Sequence, residues 1–447
     1  MNQTQKGPVH RSATVAGACT ERPVGERGPL PIIGGRGPCT AAYLVAWAAA
    51  GCVGVTEVQP PPPPPPPASI VLAVVPDGED AAAAAALQWE AGVPGAEVRV
   101  RLASSNGSFQ SFVSDAQGKV AISGVPSGQY AIEVDRWLTQ AERGRLPVGN
   151  TTAGFALKTI GQLGPGAQVT LTVPGSRRSG VVISEWSYAP IWSPGTGSYE
   201  FGGYLELANI GDTTAFLDGM LLGEAWTQGV DFASPGCAAI STVTNDPTGV
   251  WGRRLARFPG TGRQYPVPPG GVRVIATDAI DHRPLTPGGI DLSRADFEFL
   301  GPQDVDNPSV PNLQDVGLFA SHFGHGMDFD NLWSVPFLAK SLDPTTLVRQ
   351  RQPFFSSGDE LLKVNASDLL DVAAFLSTYE FPLPLCPQLV SPAIDRRAAR
   401  LIGESNAASQ AILSIHRLRP PGQPFLQDTR TSAVDFVSGP RTPGALP

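Results

Sequence analysis

The feature that most limits what this chain can fold into is how soon each apolar run is broken. Ala96-Glu-Val-Arg-Val-Arg-Leu102 alternates apolar and polar side chains, then gives way within a few residues to polar and glycine-containing chain. Alternation with a period of two puts the apolar side chains on one face of a strand, whereas a helix needs them three and four apart. With 50 glycines and 45 prolines among 447 residues, such runs stay short. Glycine loses the most backbone freedom on ordering, and proline interrupts the hydrogen-bond ladder. Long helices are disfavoured, and an all-β chain of two or three domains is expected.

Charge narrows the partners. The formal balance is −8, and residues 1–51 hold five basic and two acidic side chains, which leaves 27 basic against 38 acidic, or −11, from Cys52 onward. No cluster of Lys and Arg with interleaved aromatics offsets this, so nucleic acid is not an expected partner.

Ala41 to Gly51 is uncharged and mostly apolar, with Arg27 and Arg36 ahead of it and Ala49, Ala50 and Gly51 just before Cys52. It is shorter than the roughly 20 residues of a permanent membrane helix but suits the apolar core of an export signal. The pattern resembles a bacterial lipobox, which implies lipidation of Cys52 and a lipid membrane as partner. Residues 1–51 are long for a signal, and a start downstream at a non-Met codon stays open. Pro60–Pro67 is an unbroken run of eight prolines. As polyproline II at about 3.1 Å per residue it forms a rod of roughly 25 Å, a spacer over residues 52–68. Val53 after the cysteine, where inner-membrane retention usually shows Asp, favours by resemblance an outer-membrane lipoprotein, periplasmic or surface-exposed.

A first module is expected over 69–173. Its strands are Ile70–Val75, Ala96–Leu102, Phe109–Val113, Lys119–Ile122, Gln129–Val134 and a closing Val169–Val173. Asp115–Gly118 and Val125–Gly128 read as turns whose glycines take positive φ. Ala81–Ala86 favours helix and reads as a loop insertion. A second module is expected over 178–440, with strands at Gly180–Trp186, Gly203–Asn209, Thr214–Leu222 (interrupted near Asp218-Gly219), Gly271–Ala276 and Ala411–Arg417. Asn365-Ala-Ser-Asp368 reads as an N-cap leading into a short amphipathic helix within Leu361–Tyr379, with Ser367 or Asp368 as the cap.

The first module's segments "PGAEVRV", "SDAQGKVAISGVPSGQYAIEV" and "AQVTLTV" resemble the carboxypeptidase-regulatory, or transthyretin-like, β-sandwich. In the second, "VVISEWSYAP", "GGYLELANIGDTTAFLDGMLLGE", "VPPGGVRVIATDAIDH", "DLSRADFEF", "DVDNPSVPNL" and the tail "SIHRL…LQDTRTSAVDFVSGPRTPG" resemble the bacterial DUF4876 family over most of residues 70 to 447. That resemblance implies a lamin-tail-like, immunoglobulin-like sandwich with long loops, placed outside the cytoplasm, and brings no catalytic residue with it. Arg430 departs from the pattern, since related tails carry an Asn-like residue after "QDT".

Candidates for chemistry are sparse. Asp304, Asp306 and Asn307, with Asp291 and Asp296 nearby, offer hard oxygens of the kind Ca²⁺ takes, but turn chemistry explains them as well. No other cofactor is implied. His322, His325, Asp328 and Asp330 carry metal-ligand chemistry without the helical spacing of a metallopeptidase. There is no nucleophile elbow. Glu185 and Glu206 lie on strands that can be neighbours, the arrangement a glycosidase needs, and as strand residues they can equally face solvent. Trp186, Tyr188, Trp192 and Tyr199 stand within fourteen residues and suit sugar stacking if they lie on a loop. Cys237 and Cys386 can form a disulfide in an oxidising compartment. The function expected is a lipid-anchored, non-catalytic binding, adhesion or scaffold protein, with glycan, peptide or surface proteins as partners. Two alternatives stand beside it: a carbohydrate- or peptide-capturing part of a nutrient-uptake system, and an unrecognised secreted hydrolase.

Overall fold

A computed structural model describes residues 69–178, 180–187, 191–193, 197–199, 202–227, 245–299, 306–316, 333–351, 360–377, 389–401 and 413–446. All lie in one unit running from Pro64 to Pro447. Cys52, Tyr188, Cys237, Asp304, His322, His325, Asp328, Asp330 and Cys386 lie outside the described residues. No described helix is long and apolar enough to cross a membrane.

The first module runs β1 (Ile70–Pro76), α1 (Ala81–Leu87), β2 (Glu97–Leu102), β3 (Gln110–Val113), β4 (Lys119–Ile122), β5 (Gly128–Trp137), α2 (Gln140–Arg143), β6 (Thr152–Leu163), β7 (Gln168–Val173) and β8 (Gly175–Arg177). One sheet has the order β4-β1-β7, with β1 and β7 parallel; the other is β3-β2-β5-β6-β8. Their inner faces meet in an apolar core that includes Leu72, Val98, Ile122, Ile132, Phe155 and Leu171. The period-two strands are where the sequence places them, but β7 does not close the module. β8 follows it and pairs with β6. The alanine run is a helix as expected, yet it is no insertion, because Ala83 and Leu87 belong to the core. Gly118 takes φ +73° in the first turn, whereas the second turn puts the positive φ on Gly124 and leaves Gly128 to open β5.

The second module packs a six-stranded sheet against a longer one. In the first, Phe297–Glu298, Val272–Ala276, Tyr204–Asn209, Val181–Ser187, Leu413–Arg417 and Phe436–Pro440 lie side by side. In the second the order is Val348–Arg351, Glu360–Asn365, Gly249–Arg257, Met220–Ala225, Pro336–Ser341 and Leu369–Val372, with Gln314–Asp315 beside Gly249–Arg257. Ile183, Leu205, Leu207 and Ile415 of one sheet meet Leu222, Ala256 and Leu338 of the other. The longer sheet is apolar on its far face as well, where Leu221, Phe337 and Ala339 enter a separate core.

That double burial corrects the helix expected within Leu361–Tyr379. The segment forms strands Glu360–Asn365, Leu369–Val372 and Phe375–Ser377, with only a 3₁₀ turn at Ala366–Asp368. Leu370, Ala373 and Phe375 face one core while Val372, Ala374 and Leu376 face the other. A strand apolar on both faces shows no alternation, so its side chains imitate helical spacing.

The modules are joined by packing. Ala153 and Trp137 of the first share an apolar cluster with Val182, Ala208, Phe425 and Leu426 of the second. Arg396 holds Asp77 at 3.1 Å and Glu79 at 3.0 Å across the junction, and Arg430 holds Glu79 at 3.1 Å.

Candidate functional site

The carboxylate pair suggested by the strands exists. Glu206 is registered opposite Glu185 on neighbouring antiparallel strands, at the outer face of the six-stranded sheet. Both are fully buried, however, because the chain beyond Pro440 folds back over them. Thr442 donates its N–H and hydroxyl to Glu185 (both 2.9 Å), and the Gly444 N–H donates to Glu206 at 2.8 Å. Ser414 Oγ donates to Glu185 at 2.5 Å, Ser184 Oγ to Glu206 at 2.7 Å, and the Tyr204 hydroxyl also donates to Glu185. Burial, with repulsion from Glu185 behind it, raises the Glu206 pKa to about 7.

Ser414, His416 and Glu185 have the composition of a nucleophile triad without its geometry. His416 Nε2 is 2.8 Å from Ser414 Oγ and 3.7 Å from Glu185 Oε1, so serine and carboxylate meet the same ring nitrogen, while Nδ1 has no partner among the described residues. A triad needs the acid on the opposite nitrogen, with the serine open to substrate. Ser414 is buried.

A second polar cluster centres on Arg417, which is 1% exposed. Its Nη2 donates to Asp371 at 2.5 Å, its Nε to the Ile183 carbonyl at 2.7 Å and its Nη1 to the Gln427 carbonyl at 3.1 Å. Asp428 and Asp435 lie 3.5 and 3.7 Å away. Asp371 also accepts the Ile183 N–H at 2.7 Å, so this one pair satisfies both backbone groups of Ile183 and ties the two sheets together. Asp435 accepts from Gln427, Thr429 and Thr431, while the Asp428 carbonyl and N–H bond Arg177 and Ser176 of the first module. The "QDTR" segment is thus the knot of the junction. Arg430, the departure from the related tails, has φ +55°. Asn enters that left-handed region far more readily than Arg, which agrees with the Asn-like residue that the resemblance implies there.

The remaining candidates fall to structural roles where they are described. Trp186 is 1% exposed with its ring against Phe375 at 5.4 Å, so it has no free face for a sugar, which takes Trp186 out of the expected stacking cluster. Tyr199 is half-buried and its hydroxyl meets His282 Nδ1 at 2.7 Å. Trp192 lies in the strand Ile191–Ser193 and its side chain is outside the described residues. Asn307 donates to the Ala279 and Ser293 carbonyls and accepts from the Ser309 N–H, while Asp306 accepts from Asn312 at 2.8 Å. These groups brace loops, as turn chemistry does. Among the described residues no three His, Cys, Asp or Glu side chains converge as metal ligands.

An open polar feature lies between the modules, in a groove of about 260 Å³. Its floor is the outward face of β2, β5 and β6, where Arg99, Glu133 and Lys158 are registered in one row across three strands. Asp135 and Trp137 follow Glu133 on that face by period two, and Pro420, Pro421 and Gln427 of the second module form the opposite wall. Arg99 binds Asp135 at 2.8 Å and Glu133 at 3.3 Å. Lys158 makes no direct hydrogen bond or ion pair through its amine among the described residues. Burial lowers its pKa, partly offset by Glu133 and Asp435 at longer range. Nothing in the local pattern points to this groove, because β6 carries Lys158 and does not alternate cleanly.

The strand Val272–Ala276, the His282 turn and the Asn307 brace lie in a stretch with known relatives. Residues 268–331 match the DUF4876 family. Its description is a protein of unknown function, and the match covers less of the chain than the resemblance read from the sequence. Among solved structures, a DUF4876 family protein from Bacteroides thetaiotaomicron VPI-5482 is similar at 15% identity and a TM-score of 0.48, over 85% of this chain and 98% of that one. A DUF3823 family protein from Bacteroides uniformis ATCC 8492 follows at 10% identity and a TM-score of 0.16, over 70% of this chain and 99% of that one. No curated protein matches the chain.

Proposed function

We propose that the protein is a DUF4876 member along its folded length and works as a lipid-anchored, extracytoplasmic binding or scaffold unit without catalytic activity. The observation that carries this reading is the fate of Glu185 and Glu206. The carboxylate pair best placed for hydrolysis is buried and occupied by donors from its own chain, while the groove between the modules stays open. A pair of catalytic carboxyls must reach substrate and leave room for water or a covalent intermediate. The Cys52 anchor and the Pro60–Pro67 spacer supply the tether in this reading. Metabolic labelling with a fatty-acid analogue is expected to mark the wild-type chain and not Cys52→Ser, whose hydroxyl at position 52 cannot form the thioether. Equal labelling of both, or glycoside or peptide hydrolysis by the purified chain that Glu185→Gln abolishes, overturns the proposal.

A further inference from the structure

The groove between the modules holds a charge pattern that the fold leaves incomplete. Across β2, β5 and β6 the row reads Arg99, Glu133, Lys158: two cations flanking an anion. Arg99 already holds Glu133 and Asp135, which leaves the Lys158 amine as a half-buried cation with no direct partner among the described residues. The modules do not close the groove themselves, because Pro420 and Pro421 have no N–H and present rigid rings.

Resting on the reading of the chain as a binding protein, we propose that this groove binds an acidic sugar, a hexuronate unit, with its carboxylate on Lys158. Lys158 on the floor and Arg419 in the lining, neither of them in an ion pair among the described residues, suit a carboxylate. Glu133 and Asp135 on the same floor accept hydrogen bonds from ring hydroxyls and repel a ligand with several negative charges, which disfavours an acidic peptide. The room of about 260 Å³ is below that of a drug-sized ligand and suits a single ring. Because floor and wall come from different modules, the site exists only while the junction holds.

The test titrates the full-length chain calorimetrically with glucuronate, with glucose as the same ring lacking the carboxylate, and with triglutamate. Glucuronate is expected to bind most tightly. Lys158→Met is expected to weaken it by about tenfold or more, and Lys158→Arg to restore most of the loss. An unchanged thermal midpoint in both variants separates a lost contact from a lost fold. Glucuronate binding no tighter than glucose, tighter binding of triglutamate, or binding indifferent to Lys158→Met each overturns the proposal. None of these touches the tether, which Cys52 labelling tests alone.

Discussion

The two modules share an architecture and differ in what they bury. The first closes around side chains such as Leu72, Val98, Ile132 and Phe155, and Asp80 is its one buried carboxylate among the described residues. The second buries Glu185, Glu206, Glu224, Asp371, Asp395, Asp428, Asp435, His282, His416 and Arg417. The first depends on apolar area, which neither pH nor salt alters strongly. The second depends on carboxylates finding enough donors, and on Arg417 holding several at once.

Removing Arg417 should break that difference most sharply. Arg417→Met keeps the length of the side chain but leaves Asp371, Asp428 and Asp435 without their cation. A loss of about 3–5 kcal/mol is expected in urea unfolding at pH 7. The loss should shrink as pH falls, because burial raises the pKa of Asp371 and Asp435 and their protonation removes charge that Arg417 balances; a pH-independent loss would assign Arg417 to packing alone. Ile132→Ala is the counterpart in the first module, with a cost of about 3 kcal/mol that is the same at pH 5 and pH 8. A clear pH dependence there would collapse the contrast.

Glu206 sharpens it. Its pKa rises from 4.5 to about 7 in the fold. The folded chain therefore keeps a proton that the unfolded chain has released, and stability falls as pH climbs between those values and then levels off. The fall is on the order of 3 kcal/mol. Glu206→Gln, whose amide oxygen can still accept from Gly444 while its NH₂ faces Ser184, should flatten this part of the thermal-midpoint profile. An unchanged slope would mean that Glu206 is already ionised at pH 5. The smallest effect is expected at Arg430. Arg430→Asn relieves a strained φ by about 1 kcal/mol and gives back part of that with the exposed Glu79 pair. Arg430→Gly should be no less stable than Arg430→Ala, and the reverse order, read in melting, would exclude backbone strain at this position.

What the sequence disclosed follows the same division. β1, β2, β4 and β5 were legible because one face of each is buried and the other wet. β6 was not, since Gly154 and Gly161 interrupt its pattern. Gly154 is there because a side chain would meet the Trp137 ring at 2.3 Å. Strand periodicity was enough to bring Glu185 and Glu206 together, but their cover comes from 257 and 238 residues further along. No local pattern encodes such a contact. Arg417 likewise sits in Ser-Ile-His-Arg-Leu as an unremarkable strand-end cation, and only the arrival of Asp371, Asp428 and Asp435 makes it a hub.

The parallel pairing of β1 with β7 also has a mechanical side. The chain enters β1 at Ile70 and leaves β7 at Val173, just ahead of the three-residue β8, so entry to and exit from this pair lie at opposite ends of two strands registered from Val71↔Gln168 to Pro76↔Val173. A pull along the chain therefore drags one strand lengthwise past the other, and all six pairs resist together instead of opening one after another like a zip. Six simultaneous contacts yield at a higher force than six sequential ones. Tension on the chain should thus meet its stiffest element in the smaller module, before it reaches the charged interior of the larger one.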